Sequence, residues 1–213
     1  MKITVDGTTR SIPTKWDDVT FEQFLKIKGC KDRADILSIF LGIDAGKLRI
    51  AQIENLREVL SALKFMDKLM AFIVPRSING YNIPKDLNLK TVGQYEDLKD
   101  IAKELGENGE NISVYPEMVG VYAMPNYNTA SLEERKQFSQ QFFKSSCAEV
   151  MAIGNFTVVK LIELSLPGSP TSRKANILMH RFRLVLKSWR ARMGFWVRYY
   201  TWKRKLRTGG MNF

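Results

Sequence analysis

The 213-residue chain is 45% apolar and contains 12 Phe, enough core-forming side chains to argue against disorder as its default state. Its 33 Lys and Arg against 22 Asp and Glu give a net charge of +11, and its length suits one main body plus an appendage. Cys30 and Cys147 stand far apart without a CxxC partner or a nearby histidine, which argues against a disulfide scaffold or a zinc site and fits a reducing compartment.

The opening residues lack the apolar run of a signal peptide, so no export signal is expected. The most apolar window, 59–74, is interrupted by Lys64, Asp67 and Lys68 and falls short of the ~20 residues that span a bilayer. The chain reads as a soluble protein.

Residues 2–12 predict a hairpin, because Ile3 and Val5 alternate with polar residues and Asp6-Gly7 supplies a turn pair that accepts positive φ. Pro13 stops the second strand. Thr20 is an N-cap, with Gln23 completing a capping box, for a helix holding Phe21, Phe24, Leu25 and Ile27 that Gly29 closes. A second helix is expected over 32–41, with Ile36, Leu37, Ile39 and Phe40 on its apolar face and Gly42 at its end.

From 50 to 74 the residues Ile53, Leu56, Leu60, Leu63, Met66, Met70 and Ile73 recur at steps of three or four. This predicts the longest amphipathic helix of the body, ended by Pro75, with its Met and Leu stripe packed in the core. Residues 78–99 then repeat the opening in outline. With 82–84 placed on 11–13, Thr91 falls on Thr20, Gln94 on Gln23, Tyr95 on Phe24 and Lys99 on Lys28. Either an internal duplication or two independent cases of an extended stretch before a capped helix accounts for this, and the second is simpler.

Residues 107–111 form a turn or exposed loop. Beyond them Tyr115, Pro116, Tyr122, Pro125 and Tyr127 mark a packed, irregular region. Ser131 caps a helix with Glu133 and Glu134 in its first turn, expected to reach about residue 153, where Gly154-Asn155 breaks it before a further apolar segment at 156–166. The polar, proline-bounded connector 167–170 separates a body, 1–166, from a C-terminal arm, 171–213.

After Glu163 there is no acidic residue, while the arm holds Arg173, Lys174, Arg181, Arg183, Lys187, Arg190, Arg192, Arg198, Lys203, Arg204, Lys205 and Arg207. Removing these 12 cations from 33 leaves 21 against 22 acids, so the body is nearly neutral and the basic pI belongs to the arm. Within it Leu178, Phe182, Val185, Trp189, Met193, Trp196 and Tyr200 recur at helical steps, predicting a long basic helix over 175–206, about 48 Å at roughly 1.5 Å per residue. An apolar stripe of this kind needs a cover: the body, another subunit or a membrane surface.

The cations Arg181, Arg183, Lys187, Arg190, Arg192, Arg198, Lys203, Arg204, Lys205 and Arg207 suit an acidic protein partner, which is favoured, or nucleic acid as the alternative. A membrane surface ranks below both. His180, the one histidine, sits among arginines with no relay partner nearby in sequence. The pairs Asp17-Asp18, Glu96-Asp97 and Glu133-Glu134 lack the spacing of a metal or acid–base motif, and no phosphate loop, nucleophile elbow or zinc signature is present, so an enzyme is not expected.

Trp16, Asp17, Val19, Thr20, Gln23 and Phe24 within 12–24, the run 35–43 with the helix 56–66, and the pattern 151–156 together resemble tail-assembly proteins of tailed bacteriophages. The similar region spans roughly 10–165 and leaves out the arm. The resemblance implies a noncatalytic assembly or structural protein, without cofactor or metal. It would bind other phage tail or connector proteins and itself as a homo-oligomeric ring, in the virion or, during assembly, in the host cytoplasm. A permanent tail or head–tail connector component is the first expectation and a transient tail-assembly chaperone the second. The expected fold is mainly α, with an N-terminal β-hairpin, a helical body and a long basic C-terminal helix.

Overall fold

An antiparallel hairpin opens the chain, β1 (Lys2–Val5) pairing with β2 (Thr8–Ser11) in the register Ile3↔Arg10 and Val5↔Thr8. Its alternation is the expected one: Ile3 and Val5 are buried and all of β2 is exposed, with Gly7 at φ +76 in the turn. The computed structural model describes residues 1–164 apart from 6, 31, 51–55, 69, 107 and 108. The connector 167–170, the arm 171–213 and the long basic helix expected there lie outside the described residues. Within the described part the chain is mainly helical, and its buried apolar residues form one core cluster.

A 3-10 turn at Trp16–Asp18 leads into α1 (Phe21–Lys28). The Thr20 hydroxyl accepts from the Gln23 N–H at 3.2 Å and the Gln23 side chain accepts from the Thr20 N–H at 3.0 Å, the expected capping box. Asp32 caps α2 (Arg33–Leu41), and Gly42, left-handed at φ +63, closes it.

The single long helix expected over 50–74 does not form. The chain there builds α3 (Ala45–Ile50) and α4 (Leu56–Ala62), tightens into a 3-10 turn at Leu63–Asp67, and turns extended at Lys68, φ −90 and ψ 148. Trp16 is the physical reason. Its ring meets Phe65 edge-on at 5.2 Å, and its indole N–H donates to the Lys68 carbonyl at 3.2 Å, so the last helical turn is drawn inward and stopped. Phe65, off the predicted stripe, becomes core, while Ile73, on it, is 79% exposed.

A second antiparallel hairpin, β3 (Ser77–Ile78) with β4 (Tyr81–Asn82), precedes α5 (Val92–Lys103). The packed, irregular region expected next is instead the central helix α6 (Tyr115–Ala123), buried on nearly every side and packed against α5, α7 and α8. Pro116 sits in its first turn, where a missing N–H leaves no intrahelical bond unmade.

Ser131 opens α7 (Leu132–Gln140) with the second complete capping box. The helix then tightens to 3-10 at Gln141–Lys144 and stops, and α8 (Cys147–Leu164) follows. The break therefore falls at Ser145-Ser146, and Gly154-Asn155 lies inside α8. Two backbone bonds hold Ser145-Ser146 extended across the start of α1: Phe21 N–H to the Ser145 carbonyl at 2.9 Å and Cys147 N–H to the Val19 carbonyl at 2.8 Å. Gly154 lacks a side chain because the Tyr115 ring lies against its backbone, and Asn155 Oδ1 accepts from the Tyr115 hydroxyl at 2.7 Å.

Candidate functional site

A cleft of about 330 Å³ opens between the second hairpin, the start of α5 and the end of α6. The hairpin is turned by Asn79 and Gly80 at φ +50 and +82, a pair of positive values that asparagine and glycine accept most readily. Ile83 leaves it and donates its N–H to the Arg76 carbonyl at 2.9 Å. Leu87 adopts φ +49, unusual for a branched residue, and is buried, which offsets a conformational cost of about 1 to 2 kcal/mol. The bend brings Asn88 and Lys90 to one wall, with Tyr122, Met124, Pro125 and Tyr127 on the other.

Polar side chains tie the walls together. Buried Gln94 accepts from the Lys90 N–H at 2.9 Å and donates to the Val121 carbonyl at 3.0 Å, joining α5 to the end of α6. The Thr91 hydroxyl donates to Asn128 Oδ1 at 2.9 Å while accepting from the Gln94 N–H at 3.2 Å. Behind the cleft the Arg135 guanidinium lies 4.3 Å over the Tyr127 ring and bonds Asp97 at 2.7 Å.

The electrostatics are those of a neutral binding surface. Burial and the charge of Asp97 push the Tyr127 hydroxyl up to about 12, and burial also raises Tyr122, so both stay protonated at neutral pH. Among the described residues Lys90 is the only charged one in the lining. Buried Cys147, at the start of α8, has its thiol pushed up to about 12 by burial and bonded to the Trp16 carbonyl at 3.2 Å, a packing role. Among the described residues no group of three or more His, Cys, Asp or Glu is placed to hold a metal ion, and no helix is long and apolar enough to cross a membrane. Aromatic edges, side-chain amides and one cation equip the cleft to hold a polypeptide.

The residues singled out from sequence for partner contact lie outside the described residues: the stripe Leu178, Phe182, Val185, Trp189, Met193, Trp196 and Tyr200, the cations from Arg181 to Arg207, and His180. Of the cleft, sequence reading identified Thr91 and Gln94 as a cap and Tyr122 and Tyr127 as packing, but did not bring them together. The signal that was available is Asn79-Gly80, the dipeptide of a tight hairpin, which fixes where the chain folds back toward α6. No family model, curated protein or solved structure matches the chain.

Proposed function

We propose that the chain is a noncatalytic structural protein of a tailed bacteriophage particle, in the tail or at the head–tail junction, acting through contacts with other tail or connector proteins and with copies of itself. One observation supports this most: the first of the stretches that carry the resemblance packs directly on the second and, through Tyr115, on the third. Trp16 of the first meets Phe65 of the second at 5.2 Å. Phe21 of the first stacks at 6.5 Å on Tyr115, whose ring lies on Gly154 of the third. On this reading the protein belongs to the virion and passes through the host cytoplasm during assembly. Mass spectrometry of purified particles tests it: the chain is expected in mature virions at a fixed copy number. Its absence there would overturn the reading in favour of a tail-assembly chaperone.

The charge distribution favours a second reading, nucleic-acid binding through 171–213, since 12 of the 33 cations fall there with no acid among them. If six of these meet phosphates, affinity for duplex DNA falls on the order of 10³-fold between about 50 and 200 mM salt. Deleting 171–213 abolishes that binding on this reading. A deletion that leaves DNA affinity unchanged excludes it.

A further inference from the structure

The two hairpin-and-helix units of the body are built alike. Ile12 and Ile83, Trp16 and Leu87, and Ile27 and Leu98 occupy matching positions and are all buried, and Thr20 and Thr91 cap the two helices over Gln23 and Gln94. In each unit the isoleucine after the second strand donates its N–H to the residue before the first: Ile12 to the Met1 carbonyl at 2.7 Å, Ile83 to that of Arg76 at 2.9 Å.

The units differ at one edge. In the first, the extended segment Ser145-Ser146 crosses the cap, bonded to Val19 and Phe21, both 0% exposed. The matching residues of the second unit are Lys90, Thr91 and Val92, and among the described residues no strand crosses them. Val92 is 78% exposed, and neither its N–H nor the Lys90 carbonyl has a hydrogen-bond partner among the described residues. This bare edge opens onto the cleft that Lys90 lines.

We propose that the edge at 90–92 docks an extended segment of a partner protein, which pairs backbone to backbone across Thr91 as Ser146 pairs across Thr20 and continues into the cleft. The occupied edge shows the chemistry required. The crossing residues there are small, Ser145, Ser146 and Cys147, and they bond through their backbone. Lys90, exposed where its counterpart Val19 is buried, calls for a carboxylate beside the paired residue. Main-chain bonds supply affinity, and the cleft supplies selectivity. The inference goes beyond the structural-protein reading and stands without it.

Proline at position 92 separates pairing from packing. The site is the first residue of α5, where a helix makes no use of the N–H, and Thr91 at φ −141 and ψ 157 already has the extended conformation that a following proline requires. The isotope-labelled full-length chain is titrated with a synthetic peptide carrying Ser-Ser-Asp within a Gly/Ala backbone. The amide signals of Thr91, Val92 and Tyr127 are expected to shift. Val92→Pro weakens binding roughly five- to tenfold, whereas Val92→Ala stays within about threefold of the parent. Lys90→Gln, a surface change, removes the salt dependence of the interaction. The proposal is overturned if the Val92 amide is unmoved by peptide, if the proline variant binds as well as the alanine one, or if Lys90→Gln leaves the salt dependence intact. It is also overturned if the Val92 signal follows protein concentration without peptide, which assigns the edge to a second copy.

Discussion

Gly154 and Gly120 look alike in sequence, each a glycine inside a helix, yet their surroundings set opposite outcomes for alanine. A methyl group at Gly154 would overlap ring carbons of Tyr115, which is 1% exposed and pinned through its hydroxyl to Asn155 at 2.7 Å. Alanine gains about 0.5 to 1 kcal/mol of helix propensity, but overpacking against a fixed ring costs about 1 to 3 kcal/mol. Gly154→Ala is therefore expected to lower stability by about 1 to 2 kcal/mol in urea denaturation. At Gly120 the nearest atom is the Ser139 hydroxyl, whose bond is to the Arg135 carbonyl one turn back at 2.8 Å. Ser139 is buried and its hydroxyl must move, a cost that the gain in helix propensity offsets, so Gly120→Ala is expected within about 1 kcal/mol of the parent. Equal losses in the two variants would show that the Tyr115 ring does not set the constraint.

At the scale of elements, two local devices hold the ends of helices. Thr20 satisfies the start of α1 through its hydroxyl and through the strand-like bridge to Ser146. Thr20→Ala removes only the first, so a loss of about 1 kcal/mol is expected by chemical denaturation, as for other N-caps. The far end of α4 depends instead on a distant side chain. In Trp16→Phe the edge contact with Phe65 survives in part, while the bond to the Lys68 carbonyl, 3.2 Å in the parent, is lost. A partly buried hydrogen bond and a partial cavity together give an expected loss of about 2 kcal/mol. Hydrogen exchange should rise first at residues 63–68. Uniform loss of protection across the body would contradict a local role for the indole. The thermodynamic difference between these devices is one of range: a cap acts within four residues, the indole across 52.

Charge sets the behaviour of the whole molecule. Glu117 and Glu149 both titrate above the usual carboxylate value of 4.5. For each, burial comes first among the causes, followed by Glu104 near Glu117 and Asp17 near Glu149. Above that value the unfolded chain has released these protons while the native chain still holds them, so their contribution to stability falls as pH rises through the window just above 4.5. Glu22, Asp100 and Glu134 are shifted down and act in the opposite sense, but they lie on the surface, where solvent screens them. A Glu117→Gln, Glu149→Gln variant is accordingly expected to gain stability relative to the parent as pH is raised from about 4 to about 7. Urea midpoints at the two pH values check this, and a constant difference would refute it.

The sequence by itself determined the features whose causes are neighbours in the chain. The caps at Thr20 and Ser131, the glycine closures and the first hairpin follow from hydrogen bonds and dihedral preferences that span three to five residues, and each formed where those residues stand. The partition of charge between body and arm needed no structure either. Tertiary structure decided where helices end and what their glycines are for. The segment 131–164 breaks at Ser145-Ser146 because Thr20 pairs there, and it stays helical through Gly154-Asn155, where Tyr115 occupies the space a side chain at 154 would fill. Of the predicted helix over 50–74, α4 forms over Leu56–Ala62, and beyond it the chain tightens and stops at the bond to Trp16. The cleft is of the same kind: its tyrosines, amides and lysine are scattered over 80–128 and become a site only when the Asn79-Gly80 turn folds the second hairpin against the end of α6. Periodicity and capping record energies between near neighbours. Contacts between distant residues are worth as much, and they leave no regular spacing in the chain to be read.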